Sequence, residues 1–157
     1  MALAQLRYAT AHRDLRIGNA PIVIKRIPKH ATGLIQPLDV LCFWQYKALA
    51  RKVSDLILLG NVDFPLYVRN NIILFQSLLF STITSPRFKE MFKEGWYKAG
   101  YIDTHPAKYQ TPVEYCFPME IHTCAQEDCS RLYFIRCSWC TEYFCFEHFF
   151  KVLSPVQ

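Results

Sequence analysis

Glycine, long apolar runs and early acidic residues are all scarce in this chain. Its 157 residues include five glycines, and none of them groups into a Gly-rich phosphate loop, which removes the common nucleotide-cradling motifs. The longest apolar run, Ile72 to Phe80, is broken by Gln76 and Ser77 and falls well short of the ~20 residues a spanning helix needs, so no membrane partner is expected. The N-terminal Met-Ala-Leu-Ala-Gln-Leu-Arg-Tyr has no continuous apolar core of the kind a secretory signal requires. An intracellular location, nuclear or cytoplasmic, is the expectation. No Ser/His/Asp constellation and no single activated cysteine beside a base is apparent, and Asp14 is the only acid ahead of Asp39.

What the chain does have is apolar mass and clustered sulfur. At 52% hydrophobic and 20% charged residues it can bury a core, unlike disordered chains, whose low hydrophobicity cannot offset ordering entropy. A net charge of +5 permits phosphate contact without announcing it. Six of the seven cysteines lie between Cys116 and Cys145. In a reducing compartment such clustering points to metal binding rather than disulfides.

Pro21-Ile-Val-Ile-Lys-Arg-Ile-Pro28 is a β-branched run bounded by prolines and predicts one strand. Three helices are expected after it. The first carries Cys42, Tyr46, Leu49, Val53 and Leu56 on one side and is stopped at Gly60-Asn61, with glycine expected to take the positive φ. The second follows Pro65 through Val68, Ile72, Phe75 and Leu79. The third has Ser85 as cap and Pro86 as first residue, with Phe88, Met91, Phe92, Trp96 and Ala99 as its stripe. Residues 101–120, with Pro106, Pro112 and Pro118, show no period and read as a linker. Beyond them Leu132–Ile135 predicts a strand and Glu147–Val152 a short helix.

The segment from Ile27 to Val40, with Gln36-Pro37-Leu38-Asp39 opening a helix after a strand and a small loop, resembles the signature of DDE superfamily transposases of the mariner and pogo kind. Phe43, Trp44, Lys47, Arg69-Asn70-Asn71, Ser85-Pro86-Arg87-Phe88 and Trp96 to Tyr101 are similar to the helical end of that domain. The resemblance covers roughly half the chain. It implies an RNase H-like fold in which three carboxylates hold two divalent ions for DNA cleavage and strand transfer, with Asp39 matching the third acid. One acid cannot bridge two Mg²⁺ ions. Asp14 sits in an unrelated context, so a catalytically incomplete, transposon-derived protein is expected, using Mg²⁺ only if another chain completes the site. Taken by itself, Asp39 is better read as a helix cap than as a metal ligand. Lys25, Arg26, Lys29, Lys47, Arg51 and Lys52 are the candidate DNA contacts, on the same resemblance.

The tail reads Cys124-x4-Cys129-x7-Cys137-x2-Cys140-x4-Cys145-x2-His148. Thiolates with one imidazole select Zn²⁺ over hard cations, and Cys145 with His148 can share a helical face. Six ligands exceed the four of one structural zinc, so one or two ions are expected. Two pairings remain: Cys124, Cys129, Cys145 and His148 around one ion, with Cys137 and Cys140 at a hairpin tip, where Cys116 and His122 can join them in a second site; or a ribbon of Cys124, Cys129, Cys137 and Cys140. The former is favoured, because a knuckle, a hairpin and a helix-borne pair make a closed arrangement.

The expected fold is thus α+β and mostly helical. Residues 1–20 carry no pattern, 21–103 form the C-terminal part of an RNase H-like domain, 104–120 a linker and 121–153 a treble-clef or ribbon-like zinc module. Two functions compete: a DNA- and zinc-binding remnant of a transposase, and a zinc-stabilised protein-interaction module or homo-oligomer without nucleic acid.

Overall fold

The computed structural model describes residues 16–17, 20–21 and 36–152, with side chains from 36 to 150. Of the stretch 21–28 predicted as a strand only Pro21 is described, and residues 22–28 and most of the loop before Pro37 lie outside the described residues. Among the described residues two short antiparallel strand pairs are present: β1 (Arg16–Ile17) with β2 (Ala20–Pro21), and β3 (Ile135–Arg136) with β4 (Tyr143–Phe144), where Ile135 faces Phe144. The rest is mainly helix, consistent with an α+β class.

A π-helical turn, Leu38–Cys42, leads into α1 (Phe43–Leu59). Its buried side is Cys42, Gln45, Leu49, Val53 and Ile57, so the expected stripe holds at its centre and shifts from Leu56 to Ile57 at its end. Gly60 does not take the positive φ. It stays helical at −78°, and Asn61 adopts φ 47°. Val62 N–H then reaches Ile57 O at 3.1 Å, closing a Schellman turn in which asparagine replaces the usual glycine.

Helix α2 (Arg69–Ile83) buries Phe75, Leu78, Leu79, Thr82 and Ile83, whereas Val68 and Ile72, expected inside, are exposed. A 3₁₀ turn, Pro86–Phe88, opens α3 (Lys89–Lys98). Ser85 stands at the cap position but makes no capping hydrogen bond, and its Oγ is buried without a partner. On α3 the buried residues are Met91, Glu94 and Gly95, while Trp96 is half exposed. The reversal has a steric cause: the bare backbone of Gly95 packs against the Pro37 carbonyl, where an added Cβ would stand 2.8 Å from the oxygen. Glu94, carried inward with it, is held by Lys98 at 3.2 Å.

The segment read as a linker contains α4 (Pro112–Cys116), started by a capping box in which Thr111 and Glu114 exchange hydrogen bonds. Tyr115 and Cys116 are buried in the core. Helix α5 (Phe146–Val152) ends the described chain. One buried cluster joins Leu41, Leu78, Ile83, Phe88 and Met91 of the helical part to Tyr115, Ile135, Phe144, Cys145 and Phe149 of the tail. A second, between α1 and α2, is built on Leu49, Val53, Ile57, Phe75 and Leu79. Each such side chain contributes about 1.5–3 kcal/mol on burial. The two parts therefore share their apolar interior.

Polar contacts fix the same junction. In the turn between Cys137 and Cys140, Ser138 Oγ donates to Thr82 O at 3.0 Å and Trp139 Nε1 donates to Ser81 O at 2.9 Å. Both acceptors are carbonyls in the last turn of α2, which a helix leaves without internal partners.

Candidate metal centre

Four ligand atoms converge in the tail. The sulfurs of Cys124, Cys129 and Cys145 and one nitrogen of His148 all lie within 4.8 Å of one another. Cys124 and Cys129 come from a loop drawn together by the Thr123–Leu132 bridge and by Cys124 N–H to Arg131 O at 2.9 Å. Asp128, at φ 59°, turns the chain so that the second sulfur returns to the first. The other pair comes from the start of α5. Phe149 N–H bonds to Cys145 O at 2.9 Å, which puts Cys145 at the helix entrance and His148 one turn on, on the same side.

The distances fit a tetrahedral ion. Bonds of about 2.3 Å to sulfur imply sulfur–sulfur edges of about 3.8 Å, and edges to an imidazole nitrogen are slightly shorter. Cys129 and Cys145 sulfurs are 4.0 Å apart, and His148 Nδ1 lies 3.2 Å from the Cys124 sulfur and 3.3 Å from that of Cys145. Electrostatics prepare one sulfur in particular. Burial alone would raise Cys124, but backbone N–H groups of Cys145 and Gln126, with His148 and Cys129 beside them, outweigh it and bring its pKa down to about 6. Burial raises Cys145, against a hydrogen bond from the His148 backbone. These backbone donors left no mark in the sequence, since any residue can supply an N–H. Outside the cluster, Arg131 and Glu147 form an ion pair of 2.7 Å that ties the loop to α5. A donor set of three sulfurs and one nitrogen in this geometry could hold a metal ion such as zinc.

Other predicted ligands are placed differently. Cys137 and Cys140 sit at the tip of the β3–β4 hairpin, with Trp139 N–H on the Cys137 sulfur at 3.4 Å, and they do not join the four. Cys116 is fully buried, and that burial, with Cys137 nearby, pushes its thiol up to about 12. His122 stacks on Tyr143 at 3.8 Å. Among the described residues these side chains form no second converging group.

Asp39 is exposed in the first turn of the π-helix, where Pro37 holds the cap position with no side-chain hydrogen bond, so the capping role is replaced by placement near the helix start. Asp39 belongs to no converging ligand group among the described residues. Lys47, Arg51 and Lys52 are exposed on α1. Arg51 and Lys52 line an open cleft of about 410 Å³ with Trp44, Thr111 and Glu114, and Lys47 does not. Lys25, Arg26 and Lys29 lie outside the described residues. Among the described residues no helix is long and apolar enough to cross a membrane.

Fold and site together define a helical body sharing its core with a Cys/His module. Residues 96–154 of the chain match the family model of the Tc5 transposase C-terminal domain. That stretch runs from Trp96 through all four converging ligands, and the match supports a transposase-derived protein. Neither the curated proteins nor the solved structures give a match to the chain.

Proposed function

We propose that the chain is a transposon-derived DNA-binding protein of the nucleus, whose Cys124, Cys129, Cys145 and His148 hold one structural zinc. The observation that carries this reading is the convergence of those four side chains inside the stretch similar to a transposase C-terminal domain. A loop-borne pair, a hairpin and a helix-borne pair are the parts of a treble-clef arrangement and support that description. Bound zinc would supply only cross-linking, replacing hydrogen bonds between sulfur and nitrogen with metal–ligand bonds. The helical part is the remnant of a DDE, RNase H-like domain, with Asp39 in the place of its third acid. A single carboxylate at that place cannot bridge two Mg²⁺ ions, so DNA cleavage would need further acids to converge on Asp39. Arg51 and Lys52 on their cleft, with Lys47 beside them on α1, are available to DNA phosphates, and Lys25, Arg26 and Lys29 extend the proposal.

A second reading rests on an apolar cleft of about 320 Å³ lined by Leu38, Phe43, Phe80 and Phe92, which suits a protein partner. Native mass spectrometry with metal analysis, combined with duplex binding over a salt series, separates the two. One zinc per chain, lost in Cys145→Ser but kept in Cys140→Ser, and duplex affinity that falls steeply with salt are expected. A zinc-free native protein, or one that ignores duplex DNA at low salt, would refute the proposal.

A further inference from the structure

Away from the metal cluster, two arginines share one ring. The guanidinium carbon of Arg87 lies 4.3 Å from the ring centroid of Tyr115, and that of Arg136 lies 4.5 Å from the same centroid. Arg136 also approaches the ring of Tyr143 at 5.3 Å, and Tyr143 in turn stacks on His122 at 3.8 Å with an interplanar angle of 18°. Arg87 belongs to the 3₁₀ turn of the helical body, Tyr115 to α4, and Arg136 and Tyr143 to the hairpin. The ladder therefore crosses the junction between the two parts.

Both guanidiniums lie against the same ring, and among the described residues neither has a carboxylate at ion-pair distance. Elsewhere Lys93, Lys98 and Arg131 are paired with Glu90, Glu94 and Glu147. Arg136 is oriented by its Nε, which donates to Thr141 O at 3.0 Å, leaving its outer N–H groups without a hydrogen-bond acceptor among the described residues. Tyr115, only 3% exposed, is a fixed platform. Arginines held this way have already lost much of the rotamer freedom that anion binding would otherwise cost. Beside Arg87 opens a cleft of about 360 Å³ shared with Glu90, Lys108, Tyr109 and Gln110. Its one carboxylate, Glu90, is already engaged by Lys93 at 2.6 Å and by the Ala107 N–H at 3.2 Å.

We infer that Arg87 and Arg136, set around Tyr115, form a binding site for the phosphodiester backbone of nucleic acid, with Lys108 extending it. Guanidinium forks match phosphate oxygens in a bidentate manner. Arg87 and Lys108 line one cleft while Arg136 stands outside its lining, and cations spread beyond a single pocket suit successive phosphates of a polymer better than a small free anion. The choice of nucleic acid rests on the DNA-binding reading above, but the residues differ from the α1 set.

The test uses the full zinc-loaded chain and a 20-base-pair duplex, with binding followed by fluorescence anisotropy between 50 and 200 mM salt. Arg87→Gln and Arg136→Gln should each lower affinity about tenfold and reduce the salt slope by about one. Arg→Lys at the same positions should restore the slope but only part of the affinity, because charge returns without the stacked fork. Nitrogen-15 spectra of the wild-type Arg Nε groups give a readout independent of how the variants fold. The Arg87 and Arg136 signals should move on adding duplex while that of ion-paired Arg131 stays, and inorganic phosphate at equal concentration should not reproduce the shifts. Wild-type binding with unchanged slope in the double variant, unmoved Arg87 and Arg136 signals, or equal shifts with phosphate would each overturn this site while leaving DNA binding standing. Absence of any duplex binding by the wild type would sink the broader reading as well.

Discussion

Phe88→Ala tests whether the helical body and the Cys/His module are one cooperative unit. Phe88 is fully buried, packs edge-on to Tyr115 with centroids 6.0 Å apart, and sits in the same cluster as Ile135, Phe144, Cys145 and Phe149. Truncating such a ring removes its transfer energy and leaves a cavity, together about 3–5 kcal/mol. In a chain of this size that corresponds to a fall in Tm of roughly 10 °C. Helix loss followed by circular dichroism and metal release followed with a chromogenic chelator should both move, and by similar amounts. Leu59→Ala, at a position 82% exposed, is the control and should change stability by less than about 0.5 kcal/mol. If Phe88→Ala shifts the helical transition while metal release stays at its wild-type midpoint, the shared core carries no coupling and the two parts fold separately.

Two further outcomes follow from local geometry. Gly95→Ala should destabilise the protein by about 1–3 kcal/mol, although alanine is the better helix former by about 1 kcal/mol, because its Cβ would meet the Pro37 carbonyl at 2.8 Å. A thermal melt at or above the wild-type midpoint would show that the π-turn yields easily. In metal-free protein, the folded Cys124 thiol at about 6 lies below its ordinary value of 9.0, so the unfolded chain binds more protons between those limits. Stability should therefore rise with pH from about 6 to 9 and be lost as pH falls through 6. The raised Cys145 acts in the opposite sense, only above its ordinary value. Urea midpoints at three pH values measure this, and a dependence that persists unchanged in Cys124→Ser would assign it to another group.

Spacing along the chain was enough to locate the three helices of the body and the short one of the tail, the hairpin strand near Ile135 and the set of sulfurs and imidazole from which a metal site could be drawn. Those features depend on near neighbours: side chains three or four apart share a helix face, and a ligand two to four residues from another reaches the same point whatever surrounds it. Which four ligands meet was a choice among pairings until the loop of Cys124 and Cys129 and the start of α5 were brought side by side. The turn at Gly60-Asn61, the inward Gly95 in place of Trp96, and the helix at Pro112–Cys116 also escaped local rules, since each is decided by what packs against it. The two arginines around Tyr115 stand 49 positions apart, so no periodicity links them. Short-range pattern selects the elements, but long-range packing of one core across the body and the tail decides which side chains become neighbours.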